Sequence, residues 1–104
     1  MSAPTKLRHM VLFGFKAGVA QAQIDELVAR FGALKDLVPG VEAFEWGTDV
    51  SPEGLAQGHS HCFLLTFASE RDRDAYLPHP AHQAFVSGIA PIVERALVVD
   101  YWAT

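Results

Sequence analysis

The chain has 104 residues and a formal charge of −4, from 8 basic and 12 acidic side chains. Half of it is apolar and 19% is charged, which excludes a disordered chain as the starting expectation, and its scattered basic residues exclude the electrostatic footprint of a nucleic-acid-binding surface. No apolar run reaches the roughly 18 residues a membrane-spanning helix needs, the opening Met1-Ser2-Ala3-Pro4-Thr5-Lys6 has no leader-like apolar core, and the lone Cys62 can close no internal disulfide or cysteine zinc cluster.

Together these features predict a single domain over 1–104 in a reducing cytoplasm. From Leu7 to Phe15, Leu7, His9, Val11, Phe13 and Phe15 point one way and Arg8, Met10, Leu12 and Gly14 the other. Both sets are largely apolar, as in a central strand covered on two faces. From Ala20 to about Leu37 the period becomes helical, with Ile24, Leu27, Val28, Phe31 and Leu34 on one stripe. Pro39-Gly40 stops that helix. Val41 to Thr48 reads as a second strand, with Val41, Ala43 and Glu45 opposed to Glu42, Phe44 and Trp46. A loop with Pro52, Gly54 and Gly58 follows, then an apolar strand from His59 to Phe67. Ser69 is placed to cap a short polar helix from Glu70 to about Leu77. Pro78 breaks it, and Pro80 opens another helix. That helix is expected to carry Phe85, Ile89, Ile92, Val93 and Ala96 on one stripe and to kink at Pro91. Leu97 to Trp102 is the last strand.

The order β-α-β-β-α-β is the split β-α-β arrangement, an α+β, ferredoxin-like fold with helices on one face of a four-stranded antiparallel sheet. The two-faced strands leave the second sheet face in need of a cover. A second copy of the same sheet meets that need, so a homodimer closed into an α/β barrel is expected.

Five histidines stand out. His59 and His61 form an H-x-H pair on one strand face, but no carboxylate or third ligand lies near them in sequence, so no metal is assigned. His79 precedes a helix, as a turn or cap residue. His82 lies three residues before Phe85 and seven before Ile89, on or beside the buried stripe. The first and third strands run antiparallel in this topology, so the start of the first strand lies beside the end of the third. His9, Tyr76 and His82 therefore converge at one end of the domain, and His59 and His61 fall at the other. A cleft between sheet and helices lined by Phe13, Phe31, Phe63 or Phe67, and Phe85, with polar groups at its mouth and His79 among its ligand-binding residues, suits a small apolar or aromatic molecule. Histidine titrates near neutrality, so His82 can take a proton from an acidic carbon or a phenol, with Tyr76 polarising a ligand oxygen and His9 orienting either group. No Gly-rich phosphate loop or nucleophile elbow is present, and no cofactor is implied. The run Glu70-Arg71-Asp72-Arg73-Asp74 reads as a solvated helix face.

Several segments together resemble one family: Arg8-His9-Met10-Val11-Leu12-Phe13, Phe44-Glu45-Trp46-Gly47, His61 with Leu64-Leu65-Thr66-Phe67, Asp74-Ala75-Tyr76-Leu77-Pro78-His79-Pro80-Ala81-His82, and Leu97-Val98-Val99-Asp100-Tyr101. They resemble the stress-responsive dimeric α/β-barrel domain family over nearly the whole chain. The resemblance implies homodimers of ferredoxin-like subunits and, for most members, no assigned activity. It also implies a runner-up function, because a plant member closes a linear polyketide by a cofactor-free aldol reaction. Its base matches His82 here, its assisting tyrosine matches Tyr76, and a first-strand histidine matches His9. A pocket tyrosine of that enzyme falls at Phe31, which implies a different substrate. Haem-handling and monooxygenase barrels share the architecture and form a third reading.

Overall fold

A computed structural model describes residues 5–104. The elements run β1 (Leu7–Phe15), α1 (Gln21–Leu37), β2 (Val41–Thr48), β3 (His61–Phe67), α2 (Glu70–Tyr76), α3 (Pro80–Ile89) and β4 (Val93–Trp102). The four strands form one antiparallel sheet in the order β2-β3-β1-β4, which is the ferredoxin-like α+β arrangement. β1 lies at its centre and pairs residue for residue with β3, from Leu7 opposite Phe67 to Phe13 opposite His61. The end of β1 that carries His9 therefore sits beside the end of β3 that leads into α2.

One sheet face builds the core. Leu7, Val11 and Phe13 of β1 join Phe63, Leu65 and Phe67 of β3, and Leu27, Phe31 and Leu34 of α1 with Phe85 and Ile89 of α3 close over them. Phe31 is the hub, its ring 4.7 Å from Phe63, 4.6 Å from Phe85 and 6.1 Å from Phe13. The spacing of 3.6 residues per turn in α1 is what brings Leu27, Phe31 and Leu34 to one side. Helix ends follow local chemistry. The Gln23 side chain accepts from the Ala20 N–H at 2.9 Å at the start of α1. Ser69 Oγ accepts from the Asp72 N–H at 3.1 Å at the start of α2, and Pro80 opens α3 where its missing N–H costs nothing. After Pro39, Gly40 turns the chain at φ +96°, a conformation L side chains rarely adopt.

Three expectations are corrected. The stripe that was to continue through Val93 and Ala96 on the last helix does not exist: α3 ends at Ile89, and Pro91 stops the helix rather than kinking it. Val93 and Ala96 belong to β4, which starts four residues earlier than Leu97 and pairs with Phe15 and Phe13 of β1. Sheet pairing overrides a spacing that happens to fit a helix. In β2, strict alternation fails at Glu42, where a bulge sets Val41 opposite Phe67 and Ala43 opposite Thr66. Val41 and Phe44 thus share the core face, the former buried and the latter half-buried against Phe31. β3 also begins two residues later than expected, so His59 precedes the strand.

The other sheet face carries Met10 and Leu12 of β1, Leu64 of β3, and Leu97, Val99 and Tyr101 of β4, of which the last three are exposed. It is apolar except for Arg8, Glu45 and Thr66, and no helix among the described residues covers it. No helix among the described residues is long and apolar enough to cross a membrane.

Candidate functional site

β4 is the edge strand beyond β1, and its helix-side face is left open. A cavity of about 500 Å³ forms there, between α3 and the β1–β4 pair. Phe13, Phe31, Phe85, Val11, Ile89 and Val98 make its apolar walls, and His9, His82, Glu94 and Arg95 are its polar lining residues. Phe67, expected in the wall, and Tyr76 and His79, expected at the mouth, are not among the residues that line it. Phe67 is fully buried below it, its ring 6.3 Å from His9 and 5.3 Å from Tyr76. His79 caps α3, its Nδ1 accepting from the Ala81 N–H at 3.0 Å.

His82 sits on the first turn of α3, and its Nδ1 lies 2.8 Å from the Leu77 carbonyl oxygen. A carbonyl only accepts, so Nδ1 carries the hydrogen and donates it. The remaining nitrogen, Nε2, then holds a lone pair. Desolvation by burial lowers the pKa of this histidine, the Leu77 hydrogen bond works against that, and the nearby His9 adds to the lowering. A neutral imidazole with a fixed tautomer is the form a general base requires.

His9 is buried on β1, and its Nδ1 lies 2.7 Å from Asp100 Oδ1 on β4, its cross-strand neighbour. The carboxylate accepts, so here too Nδ1 carries the hydrogen. Asp100 Oδ2 in turn accepts from Arg73 Nη1 at 2.9 Å. Arg73 was expected on a solvated helix face. It is instead mostly covered, and reaches from α2 across to β4. Asp100 and Arg73 are the site residues that sequence reasoning missed: Asp100 is a single charge inside the apolar run Leu97 to Trp102, and Arg73 lies in a run of charges whose facing cannot be read before the helix is docked.

Tyr76 ends α2 and is fully buried, with its ring 4.4 Å from His82 and 6.0 Å from His9. Its hydroxyl has no hydrogen-bond partner among the described residues, and burial pushes its pKa well above the usual phenol value. It is therefore a neutral, unspent donor next to two histidines that present acceptors. His9, Tyr76 and His82 converge at one end of the fold as the topology predicts.

His59 and His61 lie at the other end and part company. His59 Nδ1 donates to the Ala56 carbonyl at 2.9 Å, while His61 Nδ1 pairs with Ser60 Oγ at 2.9 Å and its ring stacks on Trp46 with 2° between the planes. Among the described residues no group of three or more His, Cys, Asp or Glu side chains is placed to hold a metal.

The family model for the stress responsive A/B barrel domain matches residues 7–103. The chain belongs to this family. The stress-response A/B barrel domain-containing protein HS1 of Arabidopsis thaliana is 39% identical over 98 residues, covering 94% of this chain and 90% of HS1. Olivetolic acid cyclase of Cannabis sativa is 28% identical over 95 residues, covering 91% and 94%. Among solved structures, hydroxynitrile lyase from Passiflora edulis superposes with a TM-score of 0.91 at 31% identity, covering 98% of this chain and 96% of the lyase. A protein from Jannaschia sp., described as a dimeric ferredoxin-like protein of unknown function, superposes with a TM-score of 0.82 at 27% identity, covering 94% and 99%. The proteins this chain resembles thus include a cyclase and a lyase alongside one whose function is described as unknown.

Proposed function

We propose that this A/B barrel protein is a homodimer that binds a small apolar or aromatic molecule in the cleft between α3 and the β1–β4 pair. The observation that carries the reading is the cleft itself: about 500 Å³ of space walled by Phe13, Phe31, Phe85 and Ile89, with a few polar side chains, His9, His82, Glu94 and Arg95, in the lining. That is the composition of a small-molecule site, in which apolar walls supply affinity and a few polar groups supply orientation. The dimer reading rests on the uncovered apolar sheet face and on structural neighbours described as dimeric. The lone, half-buried Cys62 suits a reducing compartment such as the cytoplasm.

Native mass spectrometry on protein purified without refolding tests both parts. The expected spectrum is a dimer that retains an organic mass. A monomer removes the dimer, and a dimer that stays empty even when offered a panel of small aromatic compounds removes the ligand.

A second reading is favoured by the fixed tautomer of His82. Here the bound molecule is transformed without a cofactor, as cyclase and lyase relatives suggest. His82 Nε2 takes a proton from an acidic C–H or O–H of the ligand, Tyr76 assists from behind the cavity wall with its ring packed 4.4 Å from that of His82, and the imidazolium returns the proton at the end of the cycle. With a molecule recovered from the cleft as probe, His82→Ala is expected to abolish conversion while leaving the dimer mass intact. Conversion that survives the substitution rejects His82 as the base.

A further inference from the structure

The Arg73 guanidinium is held at two points. Nε donates to Asp74 Oδ1 at 3.0 Å, and Nη1 donates to Asp100 Oδ2 at 2.9 Å. Asp100 then spends its other oxygen, Oδ1, on His9 Nδ1 at 2.7 Å. The chain of contacts joins α2, β4 and β1 in series. The side chains of Arg73, Asp100 and His9 are 19%, 22% and 6% exposed, so little water competes for the carboxylate. Exposed helix-surface ion pairs contribute little, and if Arg73 met only Asp74, whose side chain is 64% exposed, nothing more would follow. The second contact changes this, because it reaches a carboxylate already committed to a group in the cleft.

We propose that Arg73 is a positioning residue for the cleft: by holding Asp100 Oδ2 it fixes the carboxylate, keeps His9 in the Nδ1–H tautomer, and so leaves Nε2 as the acceptor that His9 offers to a bound molecule. Asp100 sits on an edge strand and has one covalent tether. With Oδ2 released, its carboxylate is free to rotate away from His9. A neutral imidazole with no partner on Nδ1 can carry its hydrogen on either nitrogen. In the Nε2–H form it would offer the cleft a donor instead of an acceptor. Arg73 therefore decides the polarity of the hydrogen bond at that point without touching the ligand. The functional meaning rests on the binding role proposed above, but the tautomer itself does not.

The test reads the ring directly. Long-range proton–nitrogen NMR on the full chain, about two pH units above the ordinary histidine pKa of roughly 6.5, reports which nitrogen of His9 is protonated. The wild-type protein is expected to show His9 only as Nδ1–H. Arg73→Gln and Arg73→Met are expected to lose that single signature and show both tautomers, while His82, held by the Leu77 carbonyl, stays unchanged. Arg73→Lys, which keeps a cation within reach of Asp100, is expected to restore the His9 signature. The proposal is overturned if His9 remains purely Nδ1–H in both neutral variants, or if His82 changes alongside His9. It is overturned equally if both neutral variants fail to fold, which would make Arg73 a structural residue. No ligand is needed, so an empty cleft in the mass spectrum and an unmoved His9 tautomer are separate failures.

Discussion

The Tyr76 hydroxyl is buried without a partner, and an unsatisfied buried polar group costs about 1–3 kcal/mol. Tyr76→Phe removes that cost and almost no volume. The ligand-free protein is therefore expected to gain about 1 kcal/mol, which for a domain of this size is a rise in melting temperature of roughly 4–8 °C. Thermal melts of the two proteins without ligand check this; a lower melting point for the Phe variant would show that the hydroxyl is satisfied in solution. His82 gives a pH test. Its folded pKa is lowered, chiefly by burial, so the unfolded chain takes up the proton first as pH falls through about 6.5. Stability then drops with acid and is fully present above that range. His61 is lowered for the same reason and adds to the loss. Denaturation midpoints followed down in pH should therefore fall less steeply in His82→Gln than in the wild-type protein. Equal slopes would mean that His82 is not held neutral by the fold.

At the scale of elements, the site depends on a helix of seven residues. α2 carries both Arg73 and Tyr76 and is too short to be stable alone. Its Ser69 cap thus holds the helix that carries both residues of the proposed site. Ser69→Ala is expected to cost about 1 kcal/mol, and amide hydrogen exchange should quicken first in α2, before the sheet is affected. Uniform loss of protection would show that the helix and sheet open together. The two strands that sequence reasoning misread fail for different reasons. In β2 the alternation of Glu42, Phe44 and Trp46 is regular on paper, yet the bulge at Glu42 shifts the phase so that Val41 and Phe44 both face the core. In β4 the spacing of Phe85, Ile89, Val93 and Ala96 fits a helix, but Val93 and Ala96 have partners waiting on β1 and no i−4 ladder to join after Pro91. The bounds of β1 and α1, by contrast, follow their spacing, and Pro39-Gly40 marks the turn between α1 and β2.

At the scale of the whole molecule, the exposed apolar face of β4 and its neighbours is the least settled surface of a single chain. Leu97, Val99 and Tyr101 lie on it in a row. A charge placed there would be buried without a counter-ion in a face-to-face dimer. Val99→Lys is expected to convert the dimer to monomer in sedimentation velocity without unfolding the subunit. A dimer that persists at micromolar concentration would move the interface elsewhere.

Residue spacing by itself determined the ferredoxin-like order, the core stripe of α1, the caps at Ser69 and Pro80, and the convergence of His9, Tyr76 and His82, since each follows from local periodicity and one antiparallel pairing. Only the tertiary structure decided that Phe67 and His79 stay out of the cleft, that His82 is locked by the Leu77 carbonyl, and that Arg73, Asp100 and His9 act as one unit. Those outcomes turn on which side chain meets which across 27 residues in one case and 91 in another, and no period in the chain encodes a distance between elements that only packing brings together.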